Sequence, residues 1–81
     1  MEIIRVGNKH IKNYILAAVK ALYKSKELKI VARGRNNNGK AIDLAEILRR
    51  QHKFDIDIKI GSEKFDDKFV STIEITLKAK E

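Results

Sequence analysis

The apolar residues of this chain change their spacing along its length, from the period of a helix to the period of a strand, and this change most constrains its fold. Over residues 11–24 the spacing is i, i+3, i+4, i+7, i+8 and i+11, which only a helix places on one face. The residues at these positions are Ile11, Tyr14, Ile15, Ala18, Val19 and Leu22. Over residues 56–60 and 73–77, isoleucine or leucine fills every second position, which predicts two strands with one dry face each.

Four other segments are predicted to be strands, a loop and a hairpin tip. Residues 2–6 predict a short strand that ends at Gly7, and residues 28–33 alternate as a half-buried strand does. Residues 35–39, RNNNG, predict a loop in which one asparagine caps the following helix. Residues 61–69 predict a polar hairpin tip between the last two strands.

The second predicted helix covers residues 40–51 and has an unusually wide apolar stripe. Its apolar positions are Ala41, Ile42, Leu44, Ala45, Ile47 and Leu48. A stripe of this width predicts two buried faces, one against the sheet and one against another surface. The whole order is β-α-β-α-β-β, which predicts an α/β fold: a two-layer sandwich with a four-stranded sheet and two helices on one face.

The length of the chain limits how it can be stabilised. Its 81 residues predict one domain, 1–81, whose own core is marginal. The absence of cysteine excludes disulfides and thiolate metal sites, and His10 and His52 lack carboxylate neighbours at ligand spacing. We therefore expect no metal site, and a homodimer as the source of further stability.

Charge is the most informative quantity for function. The formal net charge is +7, and residues 5–40 hold ten basic side chains and one acid, a local +9. Residues 54–81 hold five basic and seven acidic side chains, a local −2. A basic half beside a nearly neutral half indicates a surface that binds a polyanion. We favour nucleic acid as this polyanion over the alternative that the lysines only keep the protein soluble.

Two short segments are candidates for phosphate contacts. In VGNKH, residues 6–10, a glycine turn presents Asn8 and Lys9 at the start of a helix, although an ordinary turn would also need this glycine. In ARGR, residues 32–35, two arginines flank a glycine at a strand end, where guanidinium groups can bind phosphate oxygens; a solvated strand end is the alternative.

The remaining candidates are weaker. Lys64 and Lys68 could reach a groove from the hairpin, but acidic neighbours largely cancel their charge. Asp43 and Glu46 could act as a pair of catalytic carboxylates, but acidic residues at this spacing more often form ion pairs with basic residues of the same helix. Enzyme motifs are missing from the sequence, so we expect no catalytic activity and no small-molecule substrate. No apolar stretch is long enough for a signal peptide or a membrane span, so we expect a cytoplasmic, chromosome-associated protein and no membrane partner.

Three blocks of the sequence resemble the Alba family of archaeal chromatin and RNA-binding proteins. They are VGNKHIKNYILAAV, IVARGRNNNGKAIDLAEILR and IGSE…FVSTIEITLK, and they cover nearly the whole chain in the family's order. The resemblance implies a homodimer that binds double-stranded DNA and RNA largely without regard to sequence and that uses no cofactor. The alternatives from the residues themselves are an RNA-directed ribonucleoprotein subunit or RNA chaperone, and a scaffold that binds no nucleic acid.

The resemblance also implies roles for individual residues. The implied nucleic-acid contacts are Asn8, Lys9, Lys12, Arg33, Arg35, Lys40, Lys64 and Lys68. The implied dimer interface consists of Ile42, Ile47, Leu48, Ile73 and Ile75. Lys9 is the implied acetylation site, since Asn8 replaces the other lysine of the family's basic pair. Gln51 and His52 fall where relatives use an Arg-Phe pair to pack dimer on dimer, and the hairpin arm is implied to be short.

Overall fold

A computed structural model of the chain describes residues 2–51 and 53–80, and its elements follow the predicted order. The elements are β1 (Glu2–Val6), α1 (Ile11–Lys24), β2 (Glu27–Arg33), α2 (Arg35–Gln51), β3 (Phe54–Phe65) and β4 (Lys68–Ala79). The bounds of β1 and α1 agree with the sequence prediction. His52, a predicted position for contacts between dimers, lies outside the described residues.

The four strands form one mixed sheet in the order β1-β2-β4-β3. β1 runs parallel to β2, and the other two pairs are antiparallel. Leu28 pairs with Leu77 and Ile30 with Ile75, and all four side chains are fully buried. Since paired residues share a face of the sheet, both helices cover the same face, and the predicted two-layer α/β sandwich is confirmed.

The core lies between the two helices and the central strands β2 and β4. On the helix side, the largest fully buried residues are Leu44 and Leu48 of α2. They stand four positions apart, so they lie on one face of the helix and pack on the buried isoleucines of the sheet. Each fully buried side chain of this size contributes about 1.5–3 kcal/mol relative to an exposed one.

The predicted loop over residues 35–39 is wrong, because α2 already begins at Arg35. Gly34 has φ of 85°, a left-handed conformation that glycine adopts without steric cost, and it turns the chain directly out of β2. The backbone N–H of Asn38 then donates to the Gly34 carbonyl oxygen at 2.8 Å, which closes the first helical turn. The Asn38 side chain donates to Ser71 Oγ at 3.1 Å instead of capping a helix.

The hairpin is longer than predicted. β3 and β4 pair continuously from Phe54 with Ala79 to Phe65 with Lys68, so the tight turn contains only Asp66 and Asp67. We call the five outermost pairs, residues 61–65 with 68–72, the hairpin arm. At about 3.4 Å per residue the arm is about 17 Å long. Each face of the arm mixes polar and apolar residues, with Phe65 paired with Lys68 on one face and Phe69 with Lys64 on the other, so no apolar period marked it as a ladder.

The predicted dry face of β3 is exposed along part of its length. Ile58 and Ile60 lie on the helix side of the sheet, opposite the buried Ile75 and Ile73, yet they are 51% and 80% exposed. The helices pack over the other three strands and leave the middle of β3 uncovered. One apolar strip of the chain is therefore open to contact with another surface.

Candidate nucleic-acid interface

Tyr14, a buried residue of α1, holds the loop between β1 and α1 in place by hydrogen bonds. The Tyr14 hydroxyl accepts hydrogen bonds from the backbone N–H of Gly7 at 2.8 Å and of Lys9 at 3.2 Å. Both donors would otherwise be unpaired, because they lie beyond the end of β1 and before the start of α1. The Lys9 backbone is held in place while its side chain stays exposed.

Lys40 of α2 fixes the same loop from the other side. Its ammonium group donates to the carbonyl oxygens of Gly7 and Lys9, both at 2.9 Å. Two of its three N–H donors are thus used within the chain. Lys40 was predicted to contact nucleic acid directly, and the structure gives it a second role, as the residue that joins the start of α2 to the loop before α1.

These contacts produce a shallow basic concavity between the starts of the two helices. We call it the basic concavity; its lining includes Asn8, Lys9, Arg35, Lys40 and Asp43. Three basic side chains surround one acid there, so the concavity has a local formal charge of +2. Four of the eight predicted nucleic-acid residues therefore come together on one surface, and their electrostatic fields add.

The start of α1 borders this concavity. His10 caps the helix, since its Nδ1 accepts from the Lys12 backbone N–H at 3.2 Å, and His10 also lines the concavity. The first turns of α1 and α2 contain no acidic residue, so nothing there offsets the partial positive charge of the free N–H groups. Lys12 is exposed on this first turn and adds to the same basic region.

Arg33, another implied nucleic-acid contact, does not join this cluster. Arg33 follows the buried Ala32 in β2, and successive strand residues face opposite sides, so Arg33 lies on the helix-free face of the sheet. Its guanidinium lies 5.2 Å from the centroid of the Phe65 ring, and its Nε lies 3.5 Å from a Glu63 oxygen. Arg33 therefore lies against the hairpin arm, away from the basic concavity.

The two lysines of the hairpin arm are also separated. Lys64 pairs with Phe69, and Lys68 pairs with Phe65 at the next position of the ladder, so the two lysines lie on opposite faces of the ribbon. Both lysines are exposed, as are the acids at the tip. The arm thus presents one lysine on each face instead of a continuous basic surface.

The predicted dimer interface needs correction, because three of its five residues belong to the core of the single chain. Leu48 and Ile75 are fully buried, and Ile73 is 5% exposed. Ile47 stands seven positions after Lys40, and so lies on the side of α2 that faces α1. Ile42 is 45% exposed and stands four positions after Asn38, on the side that reaches β4.

Sequence reasoning missed the role of Tyr14, whose ring was assigned to the apolar stripe of α1. Nothing in the sequence marked its hydroxyl as the acceptor for the loop seven residues earlier. For the acidic pair on α2, the structure favours the ion-pair interpretation, since Glu46 lies 3.2 Å from the Arg49 guanidinium. Within residues 2–51 and 53–80 there is no cluster of three potential metal ligands, and no described helix is long and apolar enough to cross a membrane.

Comparison with known proteins agrees with this architecture. The sequence model of the Alba family matches residues 2–65. The chain is 41% identical to the DNA/RNA-binding protein Alba of Methanocella arvoryzae, over 94% of this chain and 88% of that protein. It is also 41% identical to DNA/RNA-binding protein Alba 1 of Archaeoglobus fulgidus, over 93% of this chain and 92% of that protein.

Solved structures lead to the same conclusion. Alba from Thermoplasma volcanium superimposes with a TM-score of 0.75 at 35% identity, over 95% of this chain and 99% of that one. ALBA1 from Trypanosoma brucei gives a TM-score of 0.77 at 23% identity, over 99% of this chain and 70% of that one, which shows a shared fold. The two-layer α/β sandwich described above is therefore the fold of these proteins. The chain belongs to the Alba family, and the resemblance seen in the sequence is confirmed.

Proposed function

We propose that this protein binds double-stranded DNA and also RNA, largely without regard to sequence, as a basic homodimer associated with the chromosome. It acts by binding and not by catalysis, and it needs no cofactor. The observation that carries this proposal is the basic concavity, where Lys9, Arg35 and Lys40 meet on a surface held by hydrogen bonds. Relatives at about 40% identity carry the name DNA/RNA-binding protein, which supports the choice of ligand.

The chemistry of the concavity suits the backbone of a nucleic acid. Lysine and arginine side chains bind phosphate oxygens, and the free N–H groups at two helix starts favour the same negative charge. Contacts to phosphates carry no direct information about sequence. No helix of the described chain stands out from the body as a recognition helix would, because both pack flat against the sheet.

The exposed strip on β3 supports the homodimer. Ile58 and Ile60 on β3 lie on the helix side of the sheet, and Ile42 lies on the side of α2 that faces β4. An 81-residue chain buries a small core of its own, so covering this strip with the same strip of a second copy would add stability. A dimer of this kind would bring two basic concavities into one particle.

The direct test is a titration of long duplex DNA of random sequence at several salt concentrations. We expect log affinity to fall linearly with log salt, with a slope of about −0.9 for each phosphate neutralised. Competition with duplex RNA and with a single strand then ranks the ligands. No binding at low salt would favour the scaffold alternative, and a site bound more than about a thousandfold more tightly would indicate a sequence-specific regulator.

Lys9 is our proposed acetylation site within this interface. Its backbone is fixed by Tyr14 and Lys40, while its side chain is exposed and so accessible to a modifying enzyme. Acetylation would remove one of the three positive charges of the concavity and weaken phosphate binding. Chemical acetylation followed by mass spectrometry and a repeat of the duplex titration would test this role.

A further inference from the structure

The helix-free face of the sheet carries a second cleft, distinct from the basic concavity. Its volume is about 530 Å³, and residues of all four strands line it. One row of register partners crosses the cleft: Arg5, Val31, Glu74 and Lys59. Val31 precedes the buried Ala32 in β2, so the row faces away from the helices.

The two ends of this row, Arg5 and Lys59, are basic. The acid in the row, Glu74, lies 2.7 Å from the Lys29 ammonium. The hydrogen bond and charge of Lys29 hold the pKa of Glu74 below its usual value, and Lys59 adds a smaller effect in the same direction. Among the ion pairs of residues 2–51 and 53–80, none includes Arg5 or Lys59. Both cations are therefore available to an anionic ligand.

The next row of the sheet forms the floor and one wall of the cleft. Gly61 has no side chain, and a Cβ at this position would lie 3.2 Å from Thr72 Oγ1, so any larger residue would crowd the floor of the cleft. Beside it, the planar guanidinium of Arg33 lies against the Phe65 ring on one side. Its other side can stack on a flat, unsaturated group such as a nucleobase.

We propose that this cleft binds an unpaired, single-stranded segment of nucleic acid, with phosphates at Arg5 and Lys59 and a base stacked on Arg33. The proposal takes its ligand class from the proposed function and adds a separate site to it. Arg5 and Lys59 are three strand spacings apart, about 14 Å, a distance that a flexible strand can follow across a twisted sheet. The bases of a duplex are stacked inside it and cannot reach Arg33, whereas an unpaired base can.

The test uses a charge-matched pair of double variants of the full chain. Arg5→Gln with Lys59→Gln removes the two cations of the cleft, and Lys20→Gln with Lys24→Gln removes two exposed cations from α1. Each protein is titrated by fluorescence anisotropy with labelled oligothymidine of about 12 nucleotides and with a random duplex. We expect the cleft variant to bind the single strand about tenfold more weakly than the control variant at about 50 mM salt. Its plot of log affinity against log salt should have a slope that is shallower by about 1.4. Their affinities for the duplex should agree within about twofold.

A second variant fills the cleft without changing charge. Gly61→Val places a β-branched side chain, which suits a strand, on the floor of the cleft, where the Thr72 side chain must shift slightly to accommodate it. We expect it to weaken oligothymidine binding at least about threefold while duplex binding and the far-ultraviolet circular dichroism spectrum stay unchanged. Equal single-strand affinities of the cleft and control variants, or an unaffected Gly61→Val, would overturn the proposal.

The outcomes also separate this site from the general function. A wild-type protein that binds neither the duplex nor the single strand at low salt contradicts the proposed function itself. A wild-type protein that binds both, with a cleft variant that behaves as the control does, contradicts the cleft alone. Loss of duplex and single-strand binding together in the cleft variant would mean that both ligands share one surface, and would also overturn the proposal.

Discussion

The basic concavity and the hairpin arm both carry positive charge, but they hold it in different ways. The concavity has three basic side chains around one acid, on a surface where Tyr14 and Lys40 fix the loop through backbone hydrogen bonds. The arm and its turn together have two lysines and three acids on a ribbon that extends beyond the helices. Its lysines lie on opposite faces, so at most one of them can face a given phosphate backbone.

This difference shows that the placement of charges matters more than their number. Charges on one side of a rigid surface produce fields that add, and little ordering is needed when a ligand binds. Charges on a ribbon among acids are partly cancelled and screened by salt. We therefore attribute most of the affinity for nucleic acid to the concavity, and we expect the arm to contribute less.

The largest effect should come from separating the two concavities of the proposed dimer. Ile58→Asp places a charge on the apolar strip of β3, where burial in an interface would be costly. We expect sedimentation equilibrium to show a monomer, and affinity for long duplex DNA to fall about a hundredfold, because two linked sites bind far more tightly than one.

Ile3→Asp provides a matched control for this experiment. Ile3 and Ile58 are both 51% exposed, but Ile3 lies on the helix-free face of the sheet. The Ile3 variant should remain a dimer and keep its affinity for long DNA within about threefold. A dimeric Ile58→Asp, or equal dissociation of both variants, would contradict the interface proposed on β3.

Two double variants compare the basic concavity and the hairpin arm directly, because each variant neutralises two cations in one of these regions. Lys9→Gln with Arg35→Gln should weaken duplex binding about tenfold and make the salt slope shallower by about 1.8, since two phosphate contacts are lost. Lys64→Gln with Lys68→Gln should cost less than about threefold. Anisotropy titrations at one salt concentration compare the two pairs, and a larger loss in the arm pair would reverse our assignment.

A smaller effect should follow from removing the link between α2 and the loop before α1. Lys40→Met keeps most of the apolar stem but loses the hydrogen bonds to the Gly7 and Lys9 carbonyls. We expect a loss of about 1 kcal/mol in the free energy of unfolding, and duplex affinity lower by about fivefold. Lys20→Met, an exposed position on α1, controls for the charge. If the free energy of unfolding is the same for both variants, the two carbonyl contacts contribute nothing to the stability of the fold.

Much of the fold could be predicted from the sequence, because apolar periodicity reports burial. The bounds of α1 are correct, and so is the alternation in β2, whose core residues pair with those of β4. The start of α2 was missed, since asparagines favour loops and only the left-handed Gly34 brings them into a helical turn. The arm was missed because both of its faces mix polar and apolar residues, which leaves no apolar period.

The candidate site was predicted less completely, since it depends on which face each residue occupies. The alternation of β2 already placed Arg33 opposite the buried Ala32, but the packing of both helices on one face was needed to see that this separates it from Lys9. The hydrogen bonds of Lys40 to two carbonyls depend on tertiary distance, which residue spacing does not contain.

The smallest effect concerns the ion pair where the arm meets the body. Glu63 lies 3.5 Å from Arg33, and both side chains are at least half exposed, so the pair contributes little to stability. Glu63→Gln removes one of the acids of the arm and releases the Arg33 guanidinium for a phosphate. We expect duplex affinity to rise about twofold at low salt, with the free energy of unfolding changed by less than about 0.5 kcal/mol. Asp55→Asn is the matched control, because Asp55 forms a similar pair with Lys80 at the other end of β3, away from the arm. An equal gain in both variants would mean that net charge alone sets the affinity, and that the acids of the arm have no local effect on Arg33.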